Sequence, residues 1–469
     1  MDLSVIGGFP LSDENKMGTK PVGRLLLSMS APMMISMLVQ ALYNVVDSVF
    51  VSKFDINALT AVSLSFAAQN LMIGIATGTA VGVNALLSRA LGERDKKTAN
   101  RIANHGVFLS VVGFLVIFLA TLLFADVYFR GMIGTAEGEN IDPAAVIRYG
   151  KDYLRICCMA SLPLFMEIIF ERLMQSTGRT VYTMFTQGLG AVVNMILDPV
   201  FIFDWGLGLG AAGAAWATVI GQVVAAALAI FLNARKNTDI RVSFRGFRPD
   251  GALIGRIYAI GVPSIVMVAI GSVMNYAVNI ILAGIDAIGT TVFGVYFKLQ
   301  SFFFMPVFGL NNGMIPIIAF NYGAKSRRRL LQAVRFGMLI AVAIMLVGFG
   351  VMNLFPRELL SIFEEDPAHP ILFTVGVPAL RIISISFPVA ALCIAMGSVF
   401  QALGHGMLSL IVSVARQLVV LVPLVYLLSL TGDLTAVWWA WPAAEVASLL
   451  SSVGGFIWLY RRVIRNIPR

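Results

Sequence analysis

Residues 32–50, PMMISMLVQALYNVVDSVF, return 231 positions later as residues 263–281, PSIVMVAIGSVMNYAVNII. The two stretches align without a gap. Pro32 meets Pro263 and Asn44 meets Asn275, and the register runs on through Asp55/Asp286, Gln69/Gln300, Gly78/Gly309, Gly82/Gly313 and Gly92/Gly323. A second register, offset by 226, pairs Leu154-Arg155-Ile156 with Leu380-Arg381-Ile382, Gln175 with Gln401 and Gly178 with Gly404. The chain is a duplicated unit. Duplication in a strongly apolar chain marks a secondary transporter, in which two similar halves face each other across a substrate path and rock between two states. Function then lies in how the two copies differ.

A chain of 469 residues that is 58% hydrophobic and 13% charged, with a mean hydropathy of +0.85, belongs in a bilayer. Soluble domains have about a quarter of their residues charged. Apolar stretches of about twenty residues or more, the length that crosses a hydrocarbon core, recur about twelve times, roughly at 25–53, 57–88, 103–125, 148–177, 181–203, 211–233, 257–284, 288–320, 332–355, 373–402, 407–430 and 435–460. The expectation is an all-α polytopic membrane protein of twelve transmembrane helices, six per copy, with an N-terminal bundle over 1–240 and a C-terminal bundle over 241–469.

The net charge of +9 suggests nucleic acid until the cations are placed. They fall on alternate loops: Lys16, Lys20 and Arg24 before span 1; Arg89 to Arg101 after span 2; Arg235 to Arg256 in the central link; Lys325 to Arg335 after span 8; and Arg461 to Arg469 at the tail. The opposite loops are acidic, with Asp126, Glu137, Glu139 and Asp142 after span 3 and Glu358, Glu364, Glu365 and Asp366 after span 9. By the positive-inside rule both termini are cytoplasmic. The first twenty residues are polar and lack the apolar core of a cleaved signal. Cys157, Cys158 and Cys393 lie within spans and read as packing residues, and His105, His369 and His405 are scattered. The sequence offers no nucleophile–base pair, metal cluster or phosphate-cradling loop, so no enzyme and no cofactor are expected.

An ionisable side chain inside a span costs several kcal/mol unless it is paired or faces a polar cavity, so each is a functional candidate. Asp47 in span 1, Asp198 in span 5 and Thr218 in span 6 share one depth, roughly 10 Å below the outer surface. Asn194 and Asp198 are spaced i, i+4 and share a helix face. Pro199 removes a backbone donor and frees the Met195 carbonyl nearby. Two carboxylates, an amide, a hydroxyl and a freed carbonyl make an oxygen-rich pocket for a proton or a hard cation such as Na⁺. The first copy alone carries it, since Val278 stands opposite Asp47 and Leu424 opposite Asp198.

In the second copy, Lys298 in span 8 and Glu445 in span 12 lie at similar depth, where an ion pair between them is open if the two helices are neighbours; Arg416 lies deeper. Glu171 and Arg172 are expected to reach the cytoplasmic interface, and Arg155 and Arg381 to snorkel or to fasten each copy. Gln40, Tyr43, Asn44, Gln69, Asn275, Tyr296, Lys298, Gln300 and Glu445 are the polar candidates for the substrate path. Phenylalanines and methionines along spans 1, 2 and 8 would suit bulky, variable ligands, because rings and thioethers adapt and aromatic faces attract organic cations.

Gln40-Ala-Leu-Tyr43-Asn44-Val-Val-Asp47, Asn194-Met-Ile-Leu-Asp198-Pro199, Phe297-Lys298-Leu-Gln300, Gly309-Leu-Asn311-Asn312-Gly313 and Asn321-Tyr322-Gly323-Ala324 resemble the multidrug and toxic compound extrusion (MATE) family, in its DinF-like prokaryotic branch of MepA-like exporters. The resemblance covers nearly the whole chain. It implies two six-helix bundles in a V, exporting amphipathic, mostly cationic compounds in exchange for H⁺ or Na⁺, across the inner membrane of a bacterium or archaeon and as a monomer. It also implies a coupling site at Asp47, Asn194 and Asp198, with Thr218 as the matching threonine. The NorM-like branch places carboxylates on spans 7 and 10, and here those spans hold none, so a Na⁺ site of that kind is not expected.

Two rivals remain. A lipid-linked oligosaccharide flippase of related architecture would need a cationic cavity for a diphosphate, whereas this cluster is anionic. A channel is disfavoured by the repeat.

Overall fold

A computed structural model of the protein describes residues 15–132, 142–363 and 370–468, in which every regular element is helical. Glu137, Glu139, Glu364, Glu365, Asp366, His369 and Arg469 lie outside the described residues. After the short α1 (Lys16–Thr19), the first copy runs through α2 (Val22–Phe54), α3 (Ile56–Gly92), α4 (Lys96–Met132), α5 (Pro143–Met159), α6 (Leu162–Ser176), α7 (Thr180–Ile202) and α8 (Ala211–Lys236). The second runs through α9 (Gly251–Ala283), α10 (Ala287–Gly323), α11 (Arg327–Leu354), α12 (Pro356–Ser361), α13 (Pro370–Ser384), α14 (Phe387–Ala402), α15 (Gly406–Val414), a π-helical turn (Ala415–Leu421), α16 (Val422–Ser429), α17 (Leu434–Trp438) and α18 (Ala440–Arg462).

Among the described residues ten helical runs are long and apolar enough to cross a membrane, or twelve with each of two bent pairs, α5–α6 at 44° and α13–α14 at 47°, taken as one span. The twelve expected spans are therefore present, but the fourth and tenth are broken. Each break carries Ser-x-Pro, Ser161-Leu162-Pro163 and Ser386-Phe387-Pro388, where proline cannot donate back to the preceding turn. The serines bond backward instead: Ser161 Oγ donates to the Cys158 carbonyl at 2.7 Å and Ser386 Oγ to that of Ile383 at 2.6 Å. The duplication extends to the caps, since Asp55 accepts from the N–H of Asn57 to start α3 and Asp286 from that of Ile288 to start α10.

The central link is strapped to the first bundle. Asn104 donates to the Ser243 carbonyl, Asn100 accepts from the Arg241 N–H, and Asp250, which caps α9, pairs with Arg101 at 2.6 Å. The N–H groups of Leu253 and Ala252, with Arg101 beside them, hold the Asp250 carboxyl below the usual carboxylate range. Asp250 itself donates its backbone N–H to His105 Nε2. Arg155 fastens α5 to Asp126 of α4, and all three cysteines are buried and unbridged.

The two bundles meet where α2 crosses α10 and α3 crosses α9, and glycines matched by the repeat allow the approach. A Cβ on Gly309 would fall 2.6 Å from Met34 Cα, and one on Gly78 would fall 2.8 Å from the Gly261 carbonyl oxygen. Gly82 abuts Ile257, and Gly313 abuts Ser30, in the same way. These crossings all lie in the helix halves nearest the two chain ends, here called the terminal side. Among the described residues, the hydrogen bonds that join the bundles lie there too: Ser30 to the Leu310 carbonyl, Arg172 to Asn312, and Arg329 to the carbonyls of Met17 and Lys20.

Further along, the same faces part. Eleven residues span about three helical turns and return to within about 20° of the starting direction. Lys298 therefore shares a face with Gly309, and Asn44 shares one with Met33. Lys298 and Phe302 on α10, and Gln40 and Asn44 on α2, are exposed. The molecule is a V, shut on the terminal side and open on the far side.

Candidate functional site

The first bundle gathers the predicted cluster. Asp47 comes from α2, Asn194 and Asp198 from one face of α7, and Thr218 from α8. Asn194 Nδ2 lies 3.3 Å from Asp198 Oδ1 and 3.3 Å from Thr218 Oγ1, so one amide ties the carboxylate to the neighbouring helix. Asp198 is 0% exposed and Asn194 3%. Asp47, half-buried, lies within electrostatic reach of Asp198. Pro199 sits inside α7, so the Met195 carbonyl lacks its helical donor.

Three acceptor oxygens in this cluster are buried without a hydrogen-bond partner: Asp47 Oδ1, Asn194 Oδ1 and Asp198 Oδ2. Native structures rarely strand so many acceptors together, because each costs about 1–3 kcal/mol. Clustered acceptor oxygens of this kind are chemically suited to a proton or a small hard cation. No trio of His, Cys, Asp and Glu with metal-site geometry occurs among the described residues. The positions related by the repeat are apolar, with Val278 fully buried and Leu424 half-buried.

The candidate path residues divide by face. Gln40, Asn44, Asn275 and Lys298 lie on the rows that wall the open V. Tyr43 stands instead beside Asp47, Asp198 and Glu167. Gln69 and Gln300 sit nine residues from Gly78 and Gly309, half a turn out of phase, and so point into their own bundles. Gln69 Nε2 reaches Tyr153 OH at 3.4 Å, and Tyr296 and Glu445 are likewise buried in the second bundle.

One open pairing is decided against and one expectation fails. Glu445 is paired not with Lys298 but with Arg416, at 2.7 Å, where the π-helical turn swings that arginine inward. Lys298 Nζ instead stands 5.8 Å from the centre of the Phe363 ring. Glu171 and Arg172 do not reach the membrane surface. Glu171 is 2% exposed and accepts from Thr186 Oγ1 at 2.6 Å and Gln187 Nε2 at 2.7 Å, while Arg172 spans the seam to Asn312 at 2.8 Å. Thr186 and Gln187 lie about two turns into α7, and their polarity within an apolar span was the available signal for a buried acid beside them.

A family model described as MatE matches residues 32–200 and 263–427, once in each copy of the repeat. Multidrug export protein MepA of Staphylococcus haemolyticus is 26% identical over 423 residues, covering 90% of this chain and 90% of that protein. The Staphylococcus aureus protein of the same name is 24% identical, covering 92% and 93%. Among solved structures, one described as the outward-facing conformation of a multidrug resistance MATE family transporter superposes with a TM-score of 0.88 at 25% identity, over 97% of this chain and 99% of that one. A MOP superfamily transporter from Pyrococcus furiosus gives 0.89 at 24% identity, over 98% and 100%.

Proposed function

We infer the function from one premise: the chain belongs to the MatE family. On that premise it is a multidrug export transporter of the cytoplasmic membrane, moving amphipathic organic compounds, cations among them, outward in exchange for H⁺ or Na⁺. The basic loops support a cytoplasmic terminal side, on which reading the open side of the V faces outward. The halves 1–240 and 241–469 then act as the two rocking bodies of a single chain.

One observation carries this reading: the three partnerless acceptors of Asp47, Asn194 and Asp198, in the first bundle only. An ion arriving through the open side meets Asp47 at the edge of the cleft and relieves the repulsion between the two carboxylates. The Asn194 bridge passes the change to α7 and α8, and α2 carries it to the seam, because its first half is the part that closes on α10. The ion thereby favours one arrangement of the bundles over the other. One charge moving inward across about 100 mV releases about 2.3 kcal/mol, enough for a substrate gradient of roughly fiftyfold.

A flippase for a lipid diphosphate would require dense positive charge along the cleft, and on the four walls Lys298 is the one cation among the described residues. The test of the export reading is flux in sealed vesicles with H⁺ and Na⁺ gradients imposed separately. Drug accumulation should follow one of them, and accumulation under neither would overturn it.

A further inference from the structure

We infer that the open cleft carries an anion subsite at Lys298, so that its cargo includes amphipathic compounds with a carboxylate, sulfonate or phosphate head. This deepens the export reading and rests on it for the statement that bound compounds are cargo; the subsite itself rests on the geometry of the cleft. Four helix faces wall the V beyond the seam. They are the rows that continue from Met33 on α2, Gly78 on α3, Gly261 on α9 and Gly309 on α10. The one cation on those rows, among the described residues, is Lys298, which is exposed; Asp47, at the edge of the opposite wall, is the acid that faces the same cleft. The acid at similar sequence depth, Glu445, is engaged by Arg416 inside the second bundle. In the first bundle Asp198 is fully buried and accepts from the Asn194 amide, while Asp47 is half-buried on the opposite side of the cleft. The second-bundle wall of the cleft therefore carries an ammonium that pairs with no acid among the described residues, although the ion pocket on the first-bundle side is negative.

The surroundings of Lys298 are built for an anionic head on an apolar body. Its ammonium stands over the face of Phe363, a contact that holds a cation in place while leaving its N–H donors usable. On α9, Asn279 Nδ2 donates to Asn275 Oδ1 at 2.8 Å, which occupies the acceptor end of the Asn275 amide and leaves its N–H end as the one to offer. Gln40 and Asn44 add amides on the facing helix. Below Lys298 on its own face lie Phe302 and Met305, a wall for hydrocarbon or an aromatic ring. A charge between low-dielectric walls attracts its opposite more strongly than it would on an open surface. A purely cationic compound meets the same ammonium as a repulsion.

The test is equilibrium binding to the full chain in lipid nanodiscs, read by fluorescence anisotropy, so no ion gradient and no transport enter it. The probes are a dansyl fluorophore on an octyl chain ending in sulfonate and a matched one ending in trimethylammonium. Lys298→Gln should weaken the sulfonate probe about tenfold, or about 1.4 kcal/mol. It should tighten the trimethylammonium probe, which also certifies that the variant is folded, and Lys298→Arg should keep the sulfonate affinity of the parent. Sulfonate affinity that is the same in the parent, Gln and Arg proteins overturns the subsite. Failure of gradient-driven export with this binding pattern intact would overturn the antiport reading and leave the subsite standing.

Discussion

Arg172 Nη1 lies 2.8 Å from Asn312 Oδ1, and this hydrogen bond joins α6 of one bundle to α10 of the other inside a buried seam. The same nitrogen also donates to Gln175. A charged donor held this way stabilises a closed seam by about 1.5–3 kcal/mol. Asn312→Leu should strand the Arg172 charge and populate the arrangement opened on the terminal side, as measured by spin-label distances between the ends of α3 and α10. An unchanged distance distribution would remove the bond as a latch.

The seam also depends on close backbone approach at Gly309. Gly309→Val would push a side chain into Met34, whose Cα lies 2.6 Å from where the Cβ would begin, so the far-open state should be destabilised and drug export should fall more than about tenfold. Gly294→Ala on the same helix has nothing within 4 Å of its new methyl and should export normally. Equal activity of the two variants would show that the helices separate there at no cost.

In the second bundle, Arg416→Met and Glu445→Gln should each lower thermal stability substantially, because a buried charge left without its partner costs about 3–5 kcal/mol. The double substitution should cost less than the sum of the singles. Lys298→Ala and Glu445→Ala should simply add, since those residues do not meet. Thermal unfolding in detergent, compared across the two cycles, separates the cases.

Much of this was readable from the residues. The gapless register of Gly78/Gly309 and Gly82/Gly313 marked positions that prove to be the helix crossings, because a glycine kept in both copies answers the same packing demand twice. The Asn194–Asp198 spacing fixed two side chains on one face, which is all that helical periodicity needs. Sequence depth counted from the far ends does not separate Lys298 from Glu445, because those ends belong to helices of unequal length: α10 has 37 residues and α18 has 23. Counted from Gly323 and Arg462 on the terminal side, Lys298 stands about eight residues, or roughly 12 Å, beyond Glu445. The bends of spans four and ten escaped hydropathy, which measures apolarity and not direction, although Ser-x-Pro was there to be read in both.

The coupling role assigned to the first bundle stands or falls on Asp47. Asp47→Asn keeps the size and polarity of the group but fixes it neutral, so the pocket can no longer gain and lose charge. Asp198→Asn should impair coupling similarly, while Asp286→Asn, at a helix cap beyond the span, should matter little. The deciding measurement is uphill drug accumulation in inverted vesicles carrying Asp47→Asn, with H⁺ and Na⁺ gradients imposed in turn and drug binding measured alongside. Binding retained with gradient-driven accumulation abolished is the predicted result, and accumulation at the parent rate under either gradient would contradict it.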